Sequence, residues 1–212
     1  MKTPYFLLAT GLVLTASTTQ ALDAGTYLPY LQRVIGQARQ HDISSSSTPN
    51  STLVSKVVDV SDGDTIVVFD PENGKLRIRL ASIDAPETGH GRCRPGQDFG
   101  ERSRQALAKI LAGQQVQLKC YEQDHHGRAV CDAYPIQRGA ADTTSANLRM
   151  VNQGMAWANT SANGRYLRST DYISAEQQAR SQRLGIWSVG SEAMAPWEWR
   201  SSQWDKGDCR KG

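Results

Sequence analysis

The chain has 212 residues, 39% hydrophobic and 21% charged, with a formal net charge of +3. That suffices for one domain with a sizeable core plus tails. The mild basicity is compatible with a polyanionic substrate without establishing one, and beyond the first residues no apolar run is long enough to span a membrane.

Met1-Lys2 is followed by an apolar run from Tyr5 to Ala16, broken by Thr10 and Gly11, and then by small polar residues. Thr19-Gln20-Ala21 fits a small-x-small cleavage site. A spanning helix needs ~20 apolar residues, so residues 1–21 are predicted to be a cleaved signal peptide and the protein to be exported, periplasmic or secreted. Residues 22–52 form an arm. Tyr27, Leu31, Ile35 and Ala38 recur at helical spacing, and Ser44 to Asn50 reads as a flexible linker.

Valine-rich strands are expected over Leu53–Asp59 and Thr65–Phe69, joined by Asp62-Gly63-Asp64. Asn73-Gly74 signals a hairpin. Leu76, Ile78 and Leu80 then alternate with Arg77 and Arg79, which puts Arg79 off the core side. A loop follows from Gly89 to Gly96. Helices are expected over Phe99–Leu111, Ala146–Gly154 and Tyr172–Leu184, each ended by glycine. Two further strands run through Val116, Leu118 and Cys120 and from Ala129 to Tyr134, separated by a turn at Asp124-His125-His126-Gly127. Short strands followed by interspersed helices point to an α+β fold with a small barrel. The tail, residues 188–212, carries Trp197, Trp199 and Trp204. Beside Arg200 they can stack on bases or pack back onto the domain.

Four cysteines fit export and allow three connectivities. Cys120 and Cys131 face one another across the predicted turn, which leaves Cys93 and Cys209 to tie a loop to the tail. The alternative is four thiols.

The chemistry gathers in two segments. Asp62-Gly63-Asp64-Thr65 presents carboxylates at the start of a strand, and Gly63 is expected to free the backbone for a tight turn. In the second, Arg79 to Glu87, a strand ends in Asp84-Ala85-Pro86-Glu87, and Pro86 biases Ala85 toward extended backbone. Clustered carboxylates beside an arginine suit a hard, oxygen-seeking cation next to a phosphate. Each piece has a plainer reading, since Asp-Gly is a common turn and the others can be surface charges. A straight strand rises ~3.3 Å per residue, so it would hold Arg79 and Asp84 roughly 16 Å apart. They meet only if the strand bends sharply.

Taken together with His126-Gly127-Arg128 and Leu184-Gly185-Ile186-Trp187, these segments resemble the staphylococcal nuclease family in order and spacing. The resemblance covers about Val54 to Trp187, most of a domain assigned to residues 53–187. It implies a five-stranded OB-type β-barrel with about three helices. It also implies one Ca²⁺ ion held by Asp64, Asp84 and the carbonyl of Ala85, where many members have threonine. Arg79 and Arg128 then correspond to the catalytic arginines and Glu87 to the catalytic glutamate, as general base or as water-ordering group. The implied activity is hydrolysis of DNA and RNA with little sequence selectivity, leaving 3′-phosphates, by a protein expected to be monomeric. Two other classes stay open: a nucleic-acid-binding module on the same fold, which would lose the acids or arginines, and a secreted interaction protein, which would give the acids no purpose.

Overall fold

The computed structural model describes residues 51–204 apart from residues 72 and 92. The expected signal peptide, the arm helix within residues 22–43 and Cys209 lie outside the described residues.

Five strands close into a barrel. β1 (Ser51–Val60), β2 (Thr65–Asp70) and β3 (Gly74–Leu80) form an antiparallel meander. β5 (Gln115–Gln123) pairs with the other edge of β1, and β6 (Ala129–Gln137) pairs with β5. Parallel pairing of β3 with β6, Ile78 opposite Ala129 and Leu80 opposite Cys131, closes the circuit. A closed sheet leaves no barrel edge to aggregate, and the order β1-β2-β3-β6-β5-β1 is that of an OB-type barrel. Alternation works as expected on β3: Ile78 and Leu80 are buried, Arg77 is exposed and Arg79 is intermediate.

The interior is filled by Val57, Ile66, Val68, Ile78, Leu80, Val116 and Leu118. Three helices add to this core, the third through Tyr172 and Ala175. α1 (Gly100–Leu111) contributes Leu107 and Leu111, and α2 (Ala146–Asn152) contributes Met150 and Val151. α2 is capped by Ser145, whose hydroxyl accepts the N–H of Leu148. α3 (Asp171–Ser181) packs against α2. It ends three residues before the expected Leu184, because the chain turns at Arg183 with φ 53° ahead of Gly185.

β5 runs past the expected end at Cys120. Its apolar alternation fades there because Glu122 and Gln123 are exposed. Cys120 and Cys131 are directly opposite and disulfide-bonded. Cys93 is disulfide-bonded as well.

Three features were not expected. β4 (Ile83–Asp84) pairs with β8 (Trp157–Ala158) as a separate two-stranded sheet, and the short β7 (Ala140–Ala141) extends β6. As far as Trp204 the tail is helical, with a 3₁₀ helix over Gly185–Glu192 and α4 over Pro196–Gln203. Among the described residues no helix is long and apolar enough to cross a membrane.

Candidate active site

The bend that Arg79 and Asp84 require is present. β3 ends at Leu80, and Ser82 takes a left-handed φ of 66° before β4 begins. L-residues seldom adopt this conformation, and the surroundings hold it. Asn147 donates to the carbonyls of Ala81 (3.0 Å) and Cys131 (3.1 Å). Ser82 accepts the N–H of Asn159 at its carbonyl and that of Arg168 at its hydroxyl. Arg79 therefore reaches back over its own corner, with Nη2 3.0 Å from Asp84 Oδ1 and Nη1 2.6 Å from Asp64 Oδ2.

Asp64 opens β2. Its N–H donates to Asp62 Oδ1 (3.0 Å), so Asp62 acts by fixing the backbone of the turn. Asp64 Oδ2 also accepts the N–H of Ala85 (2.9 Å), which clips the start of β2 to the end of β4. Gly63 has a different reason from the one its turn position suggested. It is not among the positive-φ residues; a Cβ there would lie 2.6 Å from that of Ala85 and 2.7 Å from that of Ser103. Glycine allows the turn to approach both Ala85 and Ser103 of α1 closely.

Glu87 is set by its backbone. Its N–H donates to Gln97 Oε1 and its carbonyl accepts the N–H of Gln97. Gly100, the first residue of α1, packs directly on that carbonyl.

Asp64, Asp84 and Glu87 thus converge. Burial pushes the Asp64 carboxyl up to about 6, against the opposing pull of Arg79. Burial also raises Asp84, against Arg79 and Arg200, and raises Glu87, against Arg200. Burial thus disfavours the charged form of all three acids despite their arginine partners. Asp84, Asp64 and the carbonyl of Ala85 are hard oxygen donors of the kind that Ca²⁺ or Mg²⁺ takes. Among the described residues no three His, Cys, Asp or Glu side chains form a metal cluster. The donor set fits instead as two carboxylates and one carbonyl, with surplus negative charge for a cation to neutralise.

Arg128 enters from the turn just ahead of β6, the strand that pairs with β3. It shares with Arg79 a cavity of about 680 Å³, also lined by His125, Arg165, Tyr166 and Arg168. That is the volume of a small-ligand site. Arg128 Nε donates to Asp124 Oδ2 (2.7 Å), and Asp124 Oδ1 accepts the N–H groups of His126 and Arg128. Burial raises the Asp124 carboxyl, but these donors outweigh it and leave it lowered. His125 lines the cavity, and both histidines are exposed turn residues.

Sequence reasoning missed Arg200. The tail tryptophans pack back: Trp199 and Trp204 both donate from Nε1 to the Pro95 carbonyl, and Trp197 packs on the Trp157–Trp187 cluster. In so doing α4 carries Arg200 into the site. Its Nη2 lies 2.6 Å and its Nη1 3.1 Å from the two oxygens of Asp84, and Nη1 also donates to Glu87. Nothing in the local pattern around Pro196-Trp197-Glu198-Trp199-Arg200 signals a partner more than a hundred residues away.

The chain is thus an α+β protein built on a closed OB-type barrel, with buried acids and arginines gathered at one corner. Residues 77–189 match the family model described as staphylococcal nuclease homologue. The chain is 42% identical to a micrococcal nuclease of Shigella flexneri over 150 residues, 68% of this chain and 79% of that protein. It is 37% identical to protein ParB of Escherichia coli over 151 residues, 70% and 79%. It is 35% identical to an uncharacterized endonuclease of Escherichia coli O157:H7 over 147 residues, 68% and 83%. The chain belongs to the staphylococcal nuclease family, and by that membership it is a nuclease.

Proposed function

We propose that the chain is a Ca²⁺-dependent endonuclease that hydrolyses DNA and RNA with little sequence selectivity and leaves 3′-phosphates. The observation that carries this reading is the Arg79 guanidinium, which bridges Asp64 and Asp84 and also lines a cavity shared with Arg128. Asp64, Asp84 and the Ala85 carbonyl would hold the ion, which supplies positive charge next to the reacting phosphate. Arg79 and Arg128 offer forked donors to the non-bridging oxygens as negative charge grows on them. Glu87 orders the attacking water and accepts its proton. The water oxygen bonds to phosphorus, and the bond to the 5′-oxygen breaks with its electron pair passing to that oxygen, which takes a proton from solvent to leave as the 5′-hydroxyl. These groups face phosphate rather than base edges, so selectivity should be weak.

We further infer an exported monomer with a signal peptide over residues 1–21, an arm over 22–52, the nuclease domain over 53–187 and a tail over 188–212. The Cys120–Cys131 bridge supports an oxidising compartment.

The test is digestion of linear DNA and of RNA by the protein with Ca²⁺ and with chelator, followed by analysis of product ends. The expected result is cleavage with Ca²⁺ only and ends that polymerase extends only after phosphatase treatment. Retention of nucleic acid without cleavage would instead make the protein a binding module.

A further inference from the structure

The tail helix brings a cation of its own to the acids that would hold a divalent ion. Arg200 spans both oxygens of Asp84 and continues to Glu87, while Arg79 shares Oδ1 of Asp84. Asp84 is fully buried, so no water reaches it to replace these partners. Three carboxylates, Asp64, Asp84 and Glu87, therefore face two guanidinium groups.

α4 is held where it can do this. Trp199 and Trp204 donate to Pro95, and the Arg94 guanidinium lies 5.3 Å from the ring centroid of Trp204. Gln97 links the two parts: its Nε2 donates to the carbonyl of Met194 (2.7 Å), and its Oε1 accepts the N–H of Glu87. The helix is thus tied to the loop that carries Glu87. A guanidinium is permanently charged, so Arg200 brings a fixed cation to Asp84 and Glu87. The side chain is one-third exposed and lines the large cavity, so it has somewhere to go.

The geometry points to Arg200 as an internal competitor of the divalent cation. Its guanidinium occupies both oxygens of Asp84, and it must release at least one of them before that carboxylate can ligate an ion. A carboxylate oxygen that accepts a 2.6 Å charge-assisted hydrogen bond has that lone pair engaged. Like charges at this separation also repel through a poorly screened interior. The C-terminal helix thereby sets the affinity of the site and keeps it quiet where divalent ions are scarce. This inference rests on the divalent-cation reading above.

The experiment is calorimetric titration of Ca²⁺ into the full chain and into Arg200→Gln, without nucleic acid, at one pH and ionic strength. Arg200→Gln should bind Ca²⁺ at least tenfold more tightly than the unaltered chain. Arg200→Lys keeps a positive charge but loses the planar fork, and should fall between the two. It carries the same test if the glutamine variant fails to fold. Arg168→Gln, which removes another arginine of the same cavity, should change the affinity less than threefold.

Native or weaker Ca²⁺ affinity in the folded Arg200 variants would overturn the inference while leaving the cation reading intact. An equal gain from Arg168→Gln would overturn it too, by showing a general charge effect. Absence of Ca²⁺ binding in the unaltered chain and every variant would overturn the cation reading itself, and this inference with it.

Discussion

Arg79 Nη2 donates to Asp84 Oδ1 across 3.0 Å, although five residues separate them and extended backbone would hold them roughly 16 Å apart. The contact exists because the chain folds back at Ser82, whose φ of 66° is costly for an L-residue. A β-branched side chain is least able to adopt it. Ser82→Val should therefore destabilise the protein by about 2–3 kcal/mol. Ser82→Gly loses only the hydroxyl that accepts the Arg168 N–H and should cost about 1 kcal/mol. Urea unfolding of both variants checks this; equal losses would show that the corner carries no steric constraint.

Gly63 makes a second, different demand. A methyl group there would meet Ala85 and Ser103 at 2.6 and 2.7 Å. Both neighbours are buried, so relief has to come from the backbone beside Asp84 or from α1. Gly63→Ala should cost about 1–3 kcal/mol, in the range of overpacked cores. It should also slow cleavage by moving Ala85. A variant with unchanged stability would mean that the close approach is soft.

Much of this was legible in the sequence, for identifiable reasons. Alternation in Leu76–Leu80 told core from cationic face because a two-residue period leaves no other choice. The Cys120–Cys131 bridge followed from a local turn. What the pattern could not carry was anything set by distant packing. The Ser82 corner depends on Asn147 and Asn159, and the need for glycine at position 63 depends on Ala85 and Ser103. The position of Arg200 depends on tryptophans docking on Pro95. In each case the deciding contact is between segments far apart in the chain, and neither segment announces it.

The raised carboxyl of Asp64 gives a pH prediction. Its folded pKa, about 6, lies above the ordinary 3.8, so folding favours the protonated form. In the metal-free protein Asp64 thus contributes stability that is present below about pH 4 and is lost as pH rises through about 6. Asp64→Asn mimics the neutral acid. It should stabilise the metal-free protein above pH 6, by roughly 1–3 kcal/mol, and change little below pH 4. It should also remove a charged ligand and weaken Ca²⁺ binding. Urea unfolding at pH 3.5 and pH 8 with chelator checks the sign; a variant less stable at pH 8 would show that the pairing with Arg79 outweighs burial.

Arg128 separates an enzyme from a binder. Asp124 holds its Nε, while two backbone N–H groups, each 2.9 Å from Asp124 Oδ1, hold the turn independently of that side chain. Arg128→Lys should therefore fold normally. Lysine keeps the charge but loses the planar fork that matches phosphate oxygens. If the fork acts on charge that appears only during reaction, turnover should suffer more than binding. Removal of one preorganised donor typically costs about 10²–10³ in rate, whereas loss of one contact in a pure binder weakens affinity modestly and flattens its salt dependence. Arg128→Lys is expected to bind a 3′,5′-bisphosphorylated nucleotide about as well as the unaltered chain, yet to cleave DNA tens of times more slowly or worse. The measurement is kcat for DNA cleavage beside the Kd for that nucleotide, at one Ca²⁺ concentration and one ionic strength. Preserved kcat with weakened binding would make Arg128 a docking residue and leave Arg79 alone to meet the developing charge.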